Sequence, residues 1–428
     1  MESFEKLQNK MKELESETEH KGYYYKVSDA LTIMICGMLC NLQNISDIHE
    51  WAKAEPVRDF LFKQFHIYKL PSRAQFYNLI GCVKSEQFQK VFMEWVEDVV
   101  KSEETIRTIA IDGKTICSTE KRKAENEESV HILSAVISES NLIIGSMPCD
   151  KKISEPKVFR KLIEVLNING AVVVADALHT TKKSAEKVVK EGGDYLFVVK
   201  DNNPGLKEEI ELYVQNEHMD KCAKTEKNGG RIEKRTAYTS TDIDWLSRKD
   251  EWKGLVCIGA IHTEFTKDGK TSSEWHYFIS SRKLSPEELL KHARLEWSVE
   301  SMHWLLDVHF QEDKTKVWDM NVQKNLNIMR KIALNLARLY KERYEPRKAI
   351  SGILKRNMYD LNSLANFIRN FIAVISVTEL LQIQIDVFSC LAAIDISMND
   401  SIYSFYKNFQ TQYTAYFFFV SCIFFVVL

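Results

Sequence analysis

No two cysteines in this chain are spaced as C-x-x-C. The nine cysteines are scattered and odd in number, which argues against a disulfide framework or a zinc site and suits a reducing cytoplasm. The start, MESFEKLQNKMKELESE, is charged throughout and has no secretory signal. The apolar run LTIMICGMLCNL is too short, and too soon interrupted by Asn41, Gln43 and Asn44, to span a bilayer. There is no internal repeat, no nucleotide-binding glycine loop, no nucleophile elbow and no H-E-x-x-H, so no nucleotide cofactor is expected. Nor is there a bulk charge: a net −2 excludes a protein that coats nucleic acid by charge alone, though not one with a local basic groove.

What is present is an ordinary globular composition, 45% hydrophobic and 28% charged over 428 residues, enough for two or three domains. Residues 1–104 read as a small helical domain, with patterns at Val27–Leu42 (Ser28 or Asp29 as its cap), Ile45–Ala54, Arg58–Gln64, Ser72–Cys82 and Ser85–Val100. From Thr105 five strand candidates follow, at Ile106–Ile116, Val130–Ser138, Asn141–Met147, Ala171–Ala177 and Tyr195–Lys200. Helices are expected at Pro156–Leu166 and Lys182–Glu191, the second stopped by Gly192-Gly193. Three strands, helix, strand, helix, strand is the α/β order of the ribonuclease-H-like fold. That core is expected over 105–200 and 286–345, split by a β-rich insertion at 201–285 that holds a hairpin around Lys267-Asp268-Gly269-Lys270. Helical stretches Glu287–Phe310 and Val322–Arg343 close the core, and 346–370 is a basic C-terminal segment. The remainder, 371–428, is an apolar tail, read as a non-native extension in preference to a membrane anchor.

The chemistry is expected in three acids. Ile109-Ala110-Ile111-Asp112-Gly113 and Val172-Val173-Val174-Ala175-Asp176 are β-branched strands that each end on an aspartate, where open α/β sheets place their sites. Glu300 lies on a downstream helix, sharing a face with His303, Trp304 and Asp307. Three hard oxygen ligands suit Mg²⁺ or Mn²⁺, and two such ions about 4 Å apart are what phosphodiester cleavage needs.

Several neighbours have two readings. Lys114 neutralises metal-bound phosphate or is an exposed strand-end lysine. His179 orients a ligand, contacts DNA or is a polar loop histidine. Glu312-Asp313 lends a carboxylate or is a solvated loop. Arg231, Lys234 and Arg235 meet phosphates or form a solvated ribbon face. Trp297 and Trp304 stack on an unpaired base or belong to the core. Arg330 and Lys331 fall in the one plainly basic region and are assigned to DNA.

The strings IAIDGKTI, VVVADALHTTKKSAEKVVKEGGDYLFVVKDNNP, GGRIEKR, YFISS and LEWSVESMHWLLDVHFQED resemble, in order, the H-repeat-associated family of bacterial insertion-sequence transposases. The resemblance runs from about Val27 to Phe367 and includes SDIHEWA…LPSRAQFYNLI, similar to the family's associated helical domain. It implies a DDE enzyme with Asp112, Asp176 and Glu300 as catalytic, metal-holding acids. Departures are Glu296 for the family's histidine before the tryptophan, Ser301 for asparagine after the glutamate, Gly230 for the histidine of H-G-R-I-E, and Lys200-Asp201-Asn202-Asn203 for K-G-N-Q.

The implied activity is binding of terminal inverted repeats, Mg²⁺-dependent cleavage using two ions, and strand transfer into target DNA by a homodimer. The alternatives are a ribonuclease-H-like nuclease and an inactive or domesticated DNA-binding derivative.

Overall fold

The computed structural model describes residues 4–16, 24–100, 107–116, 131–149, 154–216, 219–228, 231–267, 270–314 and 317–369. Both readings of the tail over 371–428 lie outside the described residues.

Among the described residues six helices come first: α1 (Phe4–Ser16), α2 (Val27–Leu39), α3 (Ile45–Lys53), α4 (Glu55–Phe65), α5 (Arg73–Cys82) and α6 (Ser85–Val100). The run that is too short for a membrane is the hub of this group. Every residue of α2 except Asp29 is buried, as an all-round apolar helix in water must be. It starts at Val27, ahead of the Ser28 or Asp29 cap expected, and has no side-chain cap. Local starts elsewhere are conventional: Asn44 accepts from the Asp47 amide at 2.8 Å, and Ser72 with Gln75 makes a capping box.

One sheet of nine strands carries the rest, in the order β3-β2-β1-β4-β5-β9-β8-β7-β6. The five predicted core strands are β1 (Thr108–Thr115), β2 (His131–Ile137), β3 (Leu142–Cys149), β4 (Val172–Ala175) and β5 (Asp194–Val199). All residues of β2 and β4 are buried, as their uninterrupted apolar runs require. β1 pairs antiparallel with β2 and parallel with β4, and β4 parallel with β5. Helices α7 (Glu155–Val165) and α8 (Lys182–Lys190) make the crossovers, and Gly192, with φ 80°, ends the second. This is the ribonuclease-H-like core.

After α9 (Pro204–Asn216), the expected insertion supplies β6 (Asp220–Asn228), β7 (Arg231–Ser240), β8 (Cys257–Lys267) and β9 (Lys270–Ser280). These strands extend the core sheet instead of forming a separate one, because β9 pairs with β5, Leu196 opposite Ser280. β8 and β9 form the predicted hairpin, with Lys267 opposite Lys270. The single helix expected over Glu287–Phe310 is two, α10 (Pro286–Leu295) and α11 (Trp297–Phe310), joined at Glu296. A Ser285–Glu288 capping box and Pro286 fix the start of α10.

The last long helix, α12 (Met320–Tyr344), overturns one expectation. It is a buried spine and not a basic face: Arg330 is 2% and Lys331 1% exposed. Two of its buried asparagines are spent on backbone. Asn325 donates to the carbonyls of Ile80 and Val83, both at 2.8 Å. Asn335 brackets Ile143 of β3, accepting from its amide at 3.0 Å and donating to its carbonyl at 2.8 Å. Arg and Lys at helical spacing look like a solvated stripe, but here the stripe faces the helical domain and the sheet. Then come α13 (Ile350–Tyr359) and a helical stretch over 361–369. Among the described residues no helix is long and apolar enough to cross a membrane.

Candidate active site

The parallel register of β1 and β4 sets Ile111 opposite Ala175, so the next residues, Asp112 within β1 and Asp176 just past the end of β4, come side by side. Asp176 then caps a single 3₁₀ turn, Ala177–His179, accepting from the Leu178 amide at 3.1 Å. The loop after β5 buttresses that turn. Asn202 donates to the Ala177 carbonyl at 2.6 Å and Asn203 to that of Thr180 at 3.0 Å. The Asn pair of Lys200-Asp201-Asn202-Asn203 therefore holds the backbone just beyond Asp176.

Helix α11 brings the third acid. Val299, Met302, Leu306 and Phe310 are its buried stripe, and Ser298 bonds Ser138, beyond the end of β2, at 2.9 Å. Glu300 is on the exposed side, while His303, one turn on, points inward with its Nε2 3.9 Å from Asp112 Oδ2. Burial first, then the nearby cations Lys331 and Lys114, push the His303 imidazole down to about 3, so it is neutral at physiological pH. Asp112 moves the other way, up to about 6, through burial and the charges of Asp176, Glu155 and Glu300. Sequence reasoning noted Glu296 only as a departure. Burial and the charge of Asp176 raise it to about 7, against an opposing pull from Lys200, with Asp112 and Glu300 adding to the rise. Five carboxylates thus share one field, Asp112, Asp176, Glu155, Glu296 and Glu300.

Three nearby readings are corrected. Lys114 is no exposed strand-end lysine: its ammonium is bonded to Asp307 and lies 3.2 Å from Glu312 and 3.4 Å from Asp313. Glu312 is no solvated loop residue, being 2% exposed and bonded by Asn327 as well. His179 is wholly buried, stacked on Phe159 with ring centroids 4.8 Å apart, and so cannot touch DNA in this form. Behind it lie Glu155 and His131, which sequence reasoning missed; 24 residues apart and on different elements, they carried no spacing signal.

The residues assigned to DNA divide. Trp297 and Trp304 are 60% and 58% exposed, on the same side of α11 as Glu300. Arg231 lies over the Phe265 ring at 3.8 Å, Lys234 pairs with Glu264 at 3.0 Å, and Arg235 is bonded to Glu233 and lies 3.3 Å from Glu226. Arg330 and Lys331 are enclosed: Lys331 donates to Ser134 Oγ at 3.0 Å, and burial pushes its ammonium down to about 8.

The donor chemistry at the strand ends fits a hard divalent ion: carboxylates whose mutual charge lifts Asp112 and Glu296 would be relieved by a cation. Among the described residues no three acid, histidine or cysteine side chains are already gathered tightly enough to grip one.

Paired aspartates on adjacent parallel strands of a ribonuclease-H-like sheet, with a glutamate-bearing helix packed against the first, define a class of enzymes that work on phosphodiesters. The family model described as Transposase DDE domain matches residues 103–336, and one described as DDE_Tnp_1-associated matches 9–96. The H-repeat-associated protein YhhI of Escherichia coli (strain K12) is 31% identical over 325 residues, covering 73% of this chain and 85% of its own. YbfL of the same strain gives the same identity and coverage. A solved piggyBac transposase synaptic complex with hairpin DNA overlaps at TM-score 0.41 and 11% identity, over 86% of this chain and 78% of that one, too loosely to add to the argument. The chain belongs to the DDE transposase family, in its H-repeat-associated group: metal-dependent enzymes of DNA cleavage and strand transfer.

Proposed function

We propose that this protein binds the terminal inverted repeats of an insertion sequence, cleaves the phosphodiester at each end and joins the freed 3′-hydroxyl to target DNA. The observation that carries this reading is the parallel register that delivers Asp112 and Asp176 side by side against the Glu300 helix. Asp112, Asp176 and Glu300 would hold two divalent ions, Mg²⁺ or Mn²⁺, which when bound supply Lewis acidity to the reacting phosphate. His303, neutral and 3.9 Å from Asp112, backs that carboxylate without neutralising it. Trp297 and Trp304 offer apolar faces where a base released from the helix can stack, and Arg231, Lys234 and Arg235 supply cations for the backbone. Two ends must be held at once, so the working form is a homodimer on DNA.

The test uses Asp112→Asn, Asp176→Asn and Glu300→Gln on a duplex carrying the element's inverted repeat. If each carboxylate supplies about 4 kcal/mol to the transition state, single-turnover cleavage slows roughly 10³-fold, while duplex binding survives. Normal cleavage by all three variants in Mg²⁺ would sink the reading. Cleavage by the unmodified chain without any joining to target DNA would point to a nuclease instead.

A further inference from the structure

Beneath Asp112 and Asp176 lies a buried polar chain that the reaction itself does not use. Glu155 opens α7 and is 3% exposed. Its Oε1 is 2.6 Å from His131 Nε2 and its Oε2 is 3.5 Å from His179 Nε2. His131 is held from the far side by Thr115, whose Oγ1 is 2.8 Å from Nδ1. His179 is braced by Phe159, and its Nε2 reaches to 3.9 Å from Asp176 Oδ1. One carboxylate therefore links α7 to β1 and β2 on one side and to the turn after β4 on the other.

The cluster touches β1 at Gly113, the residue after Asp112. A Cβ placed there would lie 2.7 Å from His131 Nε2 and 2.9 Å from Glu155 Cδ. Only glycine lets the two groups approach the strand this closely. Apolar side chains of the same volume could fill such a space at no loss of stability, so stability alone does not account for a buried carboxylate between two imidazoles. What apolar packing cannot supply is a polar contact at a fixed place, such as that of one carboxylate seated between two imidazoles.

We propose that Glu155 is a positioning residue: gripped by His131 and His179, it fixes Asp112 through the backbone at Gly113 and Asp176 through the His179 ring. This rests on the reading of Asp112 and Asp176 as the metal-holding acids.

The full chain is titrated with Mn²⁺ alone, free ion being followed by its electron paramagnetic resonance signal, and thermal unfolding is recorded beside it. Glu155→Gln and His179→Asn should each bind Mn²⁺ about 10–100-fold more weakly, the loss typical of an outer partner of a metal ligand. Both should bind the inverted-repeat duplex as the parent does. Leu162→Ala, a buried deletion on the same helix, should lower the unfolding temperature and leave Mn²⁺ affinity alone. Should Glu155→Gln unfold, His179→Asn carries the test, because it leaves the Glu155–His131 pair intact. Parent-like Mn²⁺ affinity in the folded variants, or an equal loss in Leu162→Ala, overturns the proposal. Asp112→Asn separates the two levels. If it abolishes Mn²⁺ binding while Glu155→Gln does not weaken it, only the positioning role falls; if it leaves binding unchanged, the metal-site reading falls and this proposal with it.

Discussion

The ammonium of Lys114 stands 3.2 Å from the Glu312 carboxylate, tying the strand residue two places beyond Asp112 to the turn that follows the Glu300 helix. Asp307, on α11 itself, is bonded to the same ammonium. Strand β1 and helix α11, and with them Asp112 and Glu300 of the candidate site, are thus clamped through one cation.

Removing that cation leaves the buried Glu312 carboxyl with the Asn327 amide and the charge of Arg330 but without its ammonium. Lys114→Met should therefore destabilise the protein by about 3–5 kcal/mol, the range for breaking a buried pair from one side. Urea unfolding at neutral pH measures it. A loss below about 1 kcal/mol would class the contact with ordinary surface pairs and remove it as a clamp. Cleavage should fall as well, since α11 would no longer be fixed against β1.

The two strands were legible because a β-branched run leading into Asp is a local pattern, and both Asp112 and Asp176 announce themselves that way, although β1 does not end at Asp112 but runs on to Thr115. Helix starts such as Ser285-Pro286 were legible for the same reason. The partners of those residues were not. Lys114 meets Glu312 across 198 positions, and Glu155 meets two histidines on other elements; no periodicity links them. Arg330 and Lys331 were misread because a buried helix whose polar groups find interior partners has the composition of an exposed one. Glu296 looked like a mere departure, yet the fold sets it among three other acids and Lys200.

Burial redistributes the expected salt dependence of DNA binding. Neutralising Arg231 and Lys234 together should flatten the slope of log affinity against log salt by about 2, as two phosphate contacts are lost. Arg330→Met should leave that slope alone and instead lower stability by about 3 kcal/mol, because its guanidinium balances Glu312 and Asp313 in the interior. Parallel duplex titrations at several salt concentrations decide it; a slope changed by Arg330→Met would mean that this helix does face DNA.

Metal-free stability should also respond to pH through the shared acid field. Glu296 and Asp112 sit at about 7 and about 6, above their unfolded values, so between those limits the folded state binds more protons than the unfolded one. Stability contributed by these groups is therefore present at low pH and lost as pH rises through 6 to 7. Ion-paired carboxylates elsewhere act oppositely, so the comparison is with Glu296→Gln. That variant should be more stable than the parent at pH 8 in chelator, by on the order of 2 kcal/mol, and the gap should close by about pH 5. Equal stability at pH 8 would show that Glu296 is not in the field of the other acids.

The exposed side of α11 gives the last prediction. Trp297, Trp304 and Val308 are 60%, 58% and 49% exposed, at spacings that place them along one side of the helix with Glu300. Large apolar groups beside the site are an unfavourable use of solvent-facing positions unless something covers them, and under the proposed function that is a base displaced near the cleaved end. Base–aromatic stacking is worth about 1–3 kcal/mol per base. Trp297→Ala and Trp304→Ala should therefore each weaken binding to an inverted-repeat duplex with unpaired terminal bases by roughly 5- to 150-fold. A fully paired internal duplex should lose much less, and thermal stability should barely change, because neither ring is packed in the core. Tryptophan fluorescence offers an independent readout: the terminal-repeat duplex should quench the parent more than either variant. Equal losses on both duplexes would mean that the rings contact DNA without stacking on bases. No loss on either would place the DNA away from this side of α11.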